Sequence, residues 1–406
     1  VDNVYNLETY KRQNIFRFLN IENQFSSTVD WNFSAHKKLW TYNLNYFDFL
    51  NQESMTQEIG LILIQDFISQ YTYLKDGKEP YPTSLRIINW VKFIAKHEIN
   101  DEAINRILNE DANRLSKNLE YHLLGNHLLE NGFALWFAAH LFDDSYYFKK
   151  ASKILKTQLN EQILKDGGHF ELSPMYHNLM LYRVLDCIQL RVLNPSKNSQ
   201  DLLSFLREKA SAMLNWSKQM TFESGAMPLF NDAANGINPE PIAIVNYAKN
   251  IGIKEEQKPL SDSGYRIFKF PNYKLIADVG QVGASYQPGH AHADTFNFEL
   301  YILEEPIIVD TGTSTYNIGN TRSYERSTRA HNTVVVNNQN SSQVWSGFRV
   351  GKRAKVKILE ESESSLKALH TGYKNLRLYH KRSWSFNEQS LVIIDELDKR
   401  NLGVVY

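Results

Sequence analysis

Apolar residues recur with two different periods along the chain, and the change falls near residue 254. In 83–97, Ile87, Trp90, Val91 and Ile94 sit at i, i+3, i+4 and i+7, one helix face, with Thr83 or Ser84 able to cap the start. Similar stripes occupy 57–74, 103–124, 127–142, 148–164, 178–193 and 201–219. Short polar breaks such as Asp143-Asp144-Ser145 and Asp166-Gly167-Gly168 separate them. Sequential helices on short loops predict antiparallel hairpins packed side by side. No fixed-period repeat runs through them, which excludes a simple solenoid.

Beyond 254–264, a stretch mixing charges with Pro259, Ser261, Asp262 and Ser263, the runs become short and rich in Val, Ile, Tyr and Phe. They fall at 265–270, 274–278, 296–303, 306–309, 333–337, 352–359 and 391–395, and Gly, Asn and Ser punctuate them. Runs at this spacing predict a sandwich. The last residues, Gly403-Val404-Val405-Tyr406, themselves read as a strand, so the sandwich is expected to be truncated at the C-terminus. The expected fold class is α+β multidomain: a helical domain over 1–253, a linker at 254–264, and an antiparallel β-sandwich over 265–406.

Composition narrows the picture little. The 406 residues are 42% hydrophobic and 22% charged with zero net charge, so no global charge points to nucleic acid or membrane. No apolar run approaches the ~20 residues needed to span a bilayer. The one cysteine, Cys187, lies in an apolar run and reads as buried and inert; it excludes an intrachain disulfide. No signal-peptide pattern opens the chain, which begins at Val1. The expected location is nonetheless periplasmic or secreted, in a bacterium. Oligomeric state is not legible.

Three clusters could carry chemistry. The densest is Pro288-Gly289-His290-Ala291-His292-Ala293-Asp294. On a strand, His290 and His292 would share a face. With Asp310 and His331 downstream, two histidines and a carboxylate could bind zinc with a position left for water. They could equally be one ligand beside one catalytic His, or polar histidines held by hydrogen bonds. The second cluster is Gly125-Asn126-His127 followed by Glu130-Asn131-Gly132, at a helix junction whose free N–H groups suit an anion; simple capping is the alternative. In the third, Glu171-Leu172-Ser173-Pro174-Met175-Tyr176-His177, Ser173 can cap a helix with Pro174 in its first turn and Tyr176 just inside. Between 321 and 357 stand eight basic residues, including Arg322, Arg326 and Arg329, and one acid, Glu325. That excess fits either a polyanion-binding surface or a solvated strand face.

Together these clusters resemble the heparinase II/III family of polysaccharide lyases. The residues that carry the likeness are Gly125-Asn126-His127-Leu128-Leu129-Glu130-Asn131-Gly132, Glu171-Leu172-Ser173-Pro174-Met175-Tyr176, Gly289-His290-Ala291-His292-Ala293-Asp294, Val309-Asp310-Thr311-Gly312 and Ala330-His331-Asn332-Thr333. The resemblance implies an incomplete (α/α) toroid followed by the sandwich, and β-elimination on an anionic, uronic-acid-containing polysaccharide: heparan sulfate, heparin, alginate or a bacterial capsule. It implies that Asn126 and His127 contact the uronate carboxylate, Tyr176 moves the proton and His290 assists. His292, Asp310 and His331 would hold a divalent metal, zinc, in a structural role. A second tyrosine, Tyr316 or Tyr324, is expected near the substrate, as are Arg326, Arg329 and Asp232. Tyr42-Asn43-Leu44-Asn45-Tyr46-Phe47-Asp48 resembles a subgroup linked to bacterial polysaccharide production.

The division of labour is physically sound. Removing a proton beside a carboxylate adds charge to a group already anionic, so donors on that carboxylate stabilise the developing charge. A tyrosine, with a pKa of about 10 in water, becomes a usable base when cations stand near it. Two rivals remain at this level: a glycoside hydrolase using Glu171 and Asp232, and a non-catalytic glycan-binding or assembly protein that keeps the fold.

Overall fold

A computed structural model describes residues 4–195 and 200–398; the strand-like run at 403–406 lies outside them. The chain opens on three short antiparallel strands, β1 (Tyr10–Lys11), β2 (Ile15–Phe18) and β3 (Ile21–Gln24), joined in sequence order. The helical pattern gave no hint of this sheet. Its turns need Gln13, Asn14, Leu19 and Asn20 at positive φ, and its strands are too short to show a period.

Helices follow: α1 (Lys38–Tyr46), α2 (Gln57–Gln70), α3 (Pro80–Lys96), α4 (Glu102–Lys117), α5 (Gly125–Phe142), α6 (Ser145–Gln162), α7 (Pro174–Leu193), α8 (Gln200–Met220) and α9 (Pro241–Asn250). Seven of the nine match predicted stripes; α1 and α9 were not foreseen. The third begins a turn before its expected cap, because Pro80 is pre-set for a first helical position and Glu79 precedes it. The expected helix over 103–124 ends at Lys117, and the chain then turns through Glu120 to Leu124, at positive φ, before α5. All four residues of the stripe in α3 are buried, and Trp90 meets Phe47 and Phe67 edge-on. Asp111 is also buried and satisfied: Arg86 Nε donates to it at 2.8 Å, with Tyr71 and Arg114 beside it.

The strand-rich part holds two four-stranded antiparallel sheets. One joins β4 (Tyr265–Phe270), β5 (Tyr273–Asp278), β6 (Phe298–Ile302) and β7 (Glu305–Ile308). After a short helix, α10 (Asn320–Glu325), and the two-residue strands β8 (Val344–Trp345) and β9 (Arg349–Val350), the second joins β10 (Val356–Ser362), β11 (Ser365–His370), β12 (His380–Phe386) and β13 (Leu391–Leu397). Both sheets run in sequence order, so each strand pairs with the next, and the longest connection within a sheet is 279–297 between β5 and β6. Their inner faces share one core: Phe268, Leu275, Ala277, Phe298 and Leu300 from the first pack with Leu366, Ala368, Trp384 and Phe386 from the second. The predicted strand at 333–337 is instead a turn with a single bridge, Val336 to Gln339. In the unforeseen β11 and β12 burial alternates residue by residue, but His370, His380 and Arg382 take buried positions beside Leu366, Ala368, Trp384 and Phe386, which masks the apolar alternation.

The architecture is a helical toroid, incomplete, followed by an antiparallel sandwich. By internal contacts the chain divides into two compact units, 1–161 with 182–208, and 162–181 with 209–406. No helix among the described residues is long and apolar enough to cross a membrane. Cys187 is buried and free, and burial raises its thiol far above the ordinary range.

Candidate active site

In the first unit, α5 starts at Gly125 and places Asn126 and His127 in its first turn. His127 Nδ1 lies 3.1 Å from Glu120 Oε1. A carboxylate only accepts, so the proton sits on Nδ1 and Nε2 is left to face elsewhere. Glu120 is fixed in turn: Asn131 Nδ2 donates to its Oε2 at 2.9 Å, and Asn131 Oδ1 accepts from its backbone N–H. Tyr81 packs on the imidazole at 4.5 Å between centroids, yet 39% of the His127 side chain stays exposed. His127 is thus held by a buried carboxylate while part of its ring stays open to solvent.

In the second unit, Ser173 precedes α7, and its Oγ accepts the Tyr176 N–H at 3.4 Å, as the sequence foresaw for a cap. The Tyr176 hydroxyl donates to that of Tyr316 at 3.2 Å, and the Tyr176 ring lies 4.1 Å from the His290 ring. Tyr316, not Tyr324, therefore stands beside Tyr176; Tyr324 is 53% exposed. Burial pushes the Tyr316 hydroxyl up, beyond the usual phenol range, so it remains a donor. Phe348 closes this corner, parallel to Tyr316 and edge-on to His290.

His290 and His292 lie in the loop between β5 and β6, not on the strand their spacing suggested. They still meet one group. His290 Nδ1 donates to Asp232 Oδ2 at 2.9 Å, and His292 Nε2 to Asp232 Oδ1 at 2.8 Å. Thr313 Oγ1 and both terminal nitrogens of Arg322 complete the shell. Burial alone would raise the Asp232 carboxyl, but these donors hold it well below the carboxylate range. Asp232 is thus a fully buried anion, and as placed here it faces protein donors rather than a ligand. Burial disfavours charge on His290, yet Glu171, whose Oε2 is 3.8 Å from Nε2, and Asp232 outweigh it and raise its pKa.

Arg326 also points inward. It is buried and donates to the carbonyls of Ala291, Trp345 and Ser346, so it braces the loop that ends in Phe348. Arg353 likewise binds the carbonyls of Val282, Ala284 and Ser285. Arg322 and Arg326 of the basic stretch are therefore spent on the interior and Arg353 is half-buried on backbone carbonyls, whereas Arg329 is exposed. The charge excess overstates the cationic surface.

His292, Asp310 and His331 cluster within the second unit. Their two imidazoles lie 5.4 Å apart, and His331 Nδ1 donates to Asp310 Oδ2 at 2.8 Å. Asp310 also accepts from Gly312 N–H and Asn297 Nδ2. Burial would raise its carboxyl, but His331 holds it below the usual range. Among the described residues no three His, Cys, Asp or Glu side chains are gathered to hold a metal ion. Three buried atoms here nonetheless have no hydrogen-bond partner: His292 Nδ1, His331 Nε2 and Asp294 Oδ2. Two imidazole nitrogens and a carboxylate oxygen are the donor types zinc takes, and a carboxylate on the far nitrogen is how such imidazoles are oriented. The donor chemistry fits a metal; the side chains as they stand are not drawn around one.

Sequence reading did not single out Glu120, Phe348 or the inward role of Arg322. Only Glu120 left a trace, seven residues before His127, and that spacing is not diagnostic.

Residues 81–250 match the family described as heparinase II/III N-terminus, and 252–402 that described as heparinase II/III-like, C-terminal. A heparin-sulfate lyase of Bacteroides stercoris is 26% identical over 321 residues, covering 68% of this chain and 44% of that protein. That of Bacteroides thetaiotaomicron is 24% identical over 330 residues, with the same coverage. The chain thus spans less than half the length of these curated relatives. A crystal structure of heparinase III superposes with a TM-score of 0.66 at 17% identity, covering 92% of this chain and 66% of that one. A heparan sulfate lyase mutant from Pedobacter heparinus gives 0.61 at 19%, covering 94% and 66%. At such identities the superpositions show the fold, an incomplete toroid followed by a sandwich. Motifs, fold and family matches coincide, and the chain belongs to the heparinase II/III family.

Proposed function

We propose that this protein cleaves a uronic-acid-containing glycosaminoglycan of the heparan sulfate or heparin type by β-elimination. The observation that carries the reading is Tyr176, whose hydroxyl meets Tyr316 while its ring rests on His290. Relatives named heparin-sulfate lyase support the substrate class.

In this reaction Tyr176, ionised, takes the C5 proton beside the carboxylate, the C4–O bond breaks as the C4–C5 double bond forms, and Tyr176 returns the proton to the leaving oxygen. A charged His290 next to the ring favours the tyrosinate, and the Tyr316 hydroxyl donates to it. Asn126 and His127 take the role of donors to the carboxylate, stabilising the charge that builds there. Exposed Arg329 and Tyr324 are the proposed outer contacts to the anionic chain. Alginate and capsular uronates share the reacting group and belong in the same panel. The proposed setting is periplasmic or secreted.

A divalent metal, zinc by donor type, is part of the same proposal. His292, His331 and Asp310 would hold it, with Asp294 at hand as a further oxygen donor. Bound there, it would brace the loops that carry its ligands.

A hydrolase using Glu171 and Asp232 requires Asp232 to act on substrate or water, which a buried, fully engaged anion does not favour. Incubation of the protein with heparan sulfate, heparin, hyaluronan, alginate and capsule tests the proposal. Elimination leaves an unsaturated uronate that absorbs in the ultraviolet; new reducing ends without that absorbance would reject it. Glycan binding that survives Tyr176→Phe, with no turnover of any polymer by the unmutated protein, would favour an assembly role.

A further inference from the structure

We infer that Asp232 is a positioning residue that fixes His290 against Tyr176 and ties the start of α7 to the same loop. Its side chain is the only carboxylate within hydrogen-bond distance of the His290 ring among the described residues, at 2.9 Å on Nδ1. That bond turns Nε2 toward Glu171. The backbone of Asp232 holds both neighbours as well. Its N–H donates to the His290 carbonyl at 3.1 Å, and its carbonyl accepts from Ser173 Oγ at 2.8 Å, the same oxygen that caps Tyr176. Asn231 repeats the pattern, accepting from His292 N–H and donating to the Leu172 carbonyl. One short segment therefore sets the spacing between the tyrosine and the histidine.

The chemistry requires a carboxylate at this position. Both oxygens of Asp232 face only donors: His290 and Arg322 on Oδ2, His292, Thr313 and Arg322 on Oδ1. An asparagine is the same shape, but its NH2 would confront at least two of those donors whichever way it turned. The imidazole would then lose its anchor or move its proton to the other nitrogen.

The test is Asp232→Asn. Its kinetic effect rests on the elimination proposed above, whereas its effect on the imidazole does not. kcat should fall on the order of 10²–10⁴-fold, as when a carboxylate orienting a catalytic histidine is neutralised, with KM changed less than about threefold because no substrate contact is removed. In protein labelled with ¹⁵N-histidine, the side-chain signals absent from His290→Ala should shift in Asp232→Asn. A folded variant with unchanged kcat, or with unmoved His290 signals, overturns the inference. If the unmutated protein turns over no uronate polymer, the elimination reading fails and the His290 signals alone decide. Should Asp232→Asn not fold, the double variant D232N/R322Q removes both buried charges together and carries the same expectations.

Discussion

The hydroxyl of Tyr176 lies 3.2 Å from that of Tyr316, two residues 140 positions apart. This contact ranks the two tyrosines. Tyr176→Phe should lower elimination on the order of 10³-fold or more, and Tyr316→Phe by roughly tenfold, because the first loses the proton-transfer group and the second one donor to it. Tyr324→Phe, at an exposed ring, should change kcat little. Ultraviolet product formation checks the series, and equal losses at Tyr316 and Tyr324 would contradict the ranking.

In the first unit, Glu120 anchors His127 through Nδ1. Glu120→Ala should therefore weaken turnover almost as much as His127→Ala, by roughly 10–100-fold, although Glu120 is buried and meets no substrate. Kinetics beside circular dichroism separate this from misfolding.

Arg322 neutralises Asp232 where neither is exposed. Arg322→Met should destabilise the second unit by about 3–5 kcal/mol, since it leaves an unpaired buried carboxylate. Chemical denaturation measures it. A change under about 1 kcal/mol would mean that the histidines alone compensate the charge.

Acid should unfold the second unit early. His177 accepts the His169 N–H on Nδ1 and donates from Nε2 to the Met213 carbonyl, an arrangement only the neutral ring can make. Burial lowers His177 to about 4 and His169 to about 3. The unfolded chain, with His near 6.5, binds more protons in between, so stability is full above about 6.5 and is lost as pH falls toward 4. His177 alone accounts for on the order of 3 kcal/mol at the low end. His177→Gln should flatten the pH dependence of the melting temperature in this window; an unchanged slope would place the acid sensitivity elsewhere.

If the metal proposal holds, elemental analysis of the purified protein should find about one equivalent of zinc or a similar ion. His292→Ala should lose it and melt at a lower temperature. Protein free of metal, with an unchanged melting temperature in His292→Ala, would assign the three unpartnered atoms to another cause.

Much of the architecture was written in local periodicity. A 3.6-residue stripe such as Ile87, Trp90, Val91 and Ile94 reports its own helix, because burial of one face needs only neighbouring residues. The switch to short apolar runs likewise marked the sandwich, and Ser173-Pro174 marked the start of α7. Strands β11 and β12 were hidden because His370, His380 and Arg382 occupy buried positions and break the apolar alternation, and β1–β3 because their turns rest on non-glycine residues at positive φ.

The site residues were legible as a set of motifs, but their relations were not. Nothing in the sequence ranks Tyr316 above Tyr324, turns Arg322 and Arg326 inward, or makes Asp232 the shared partner of His290 and His292. Those facts depend on segments up to 140 positions apart meeting in space. A hydrogen bond is fixed by distance and direction in space, and the order of residues along the chain specifies neither.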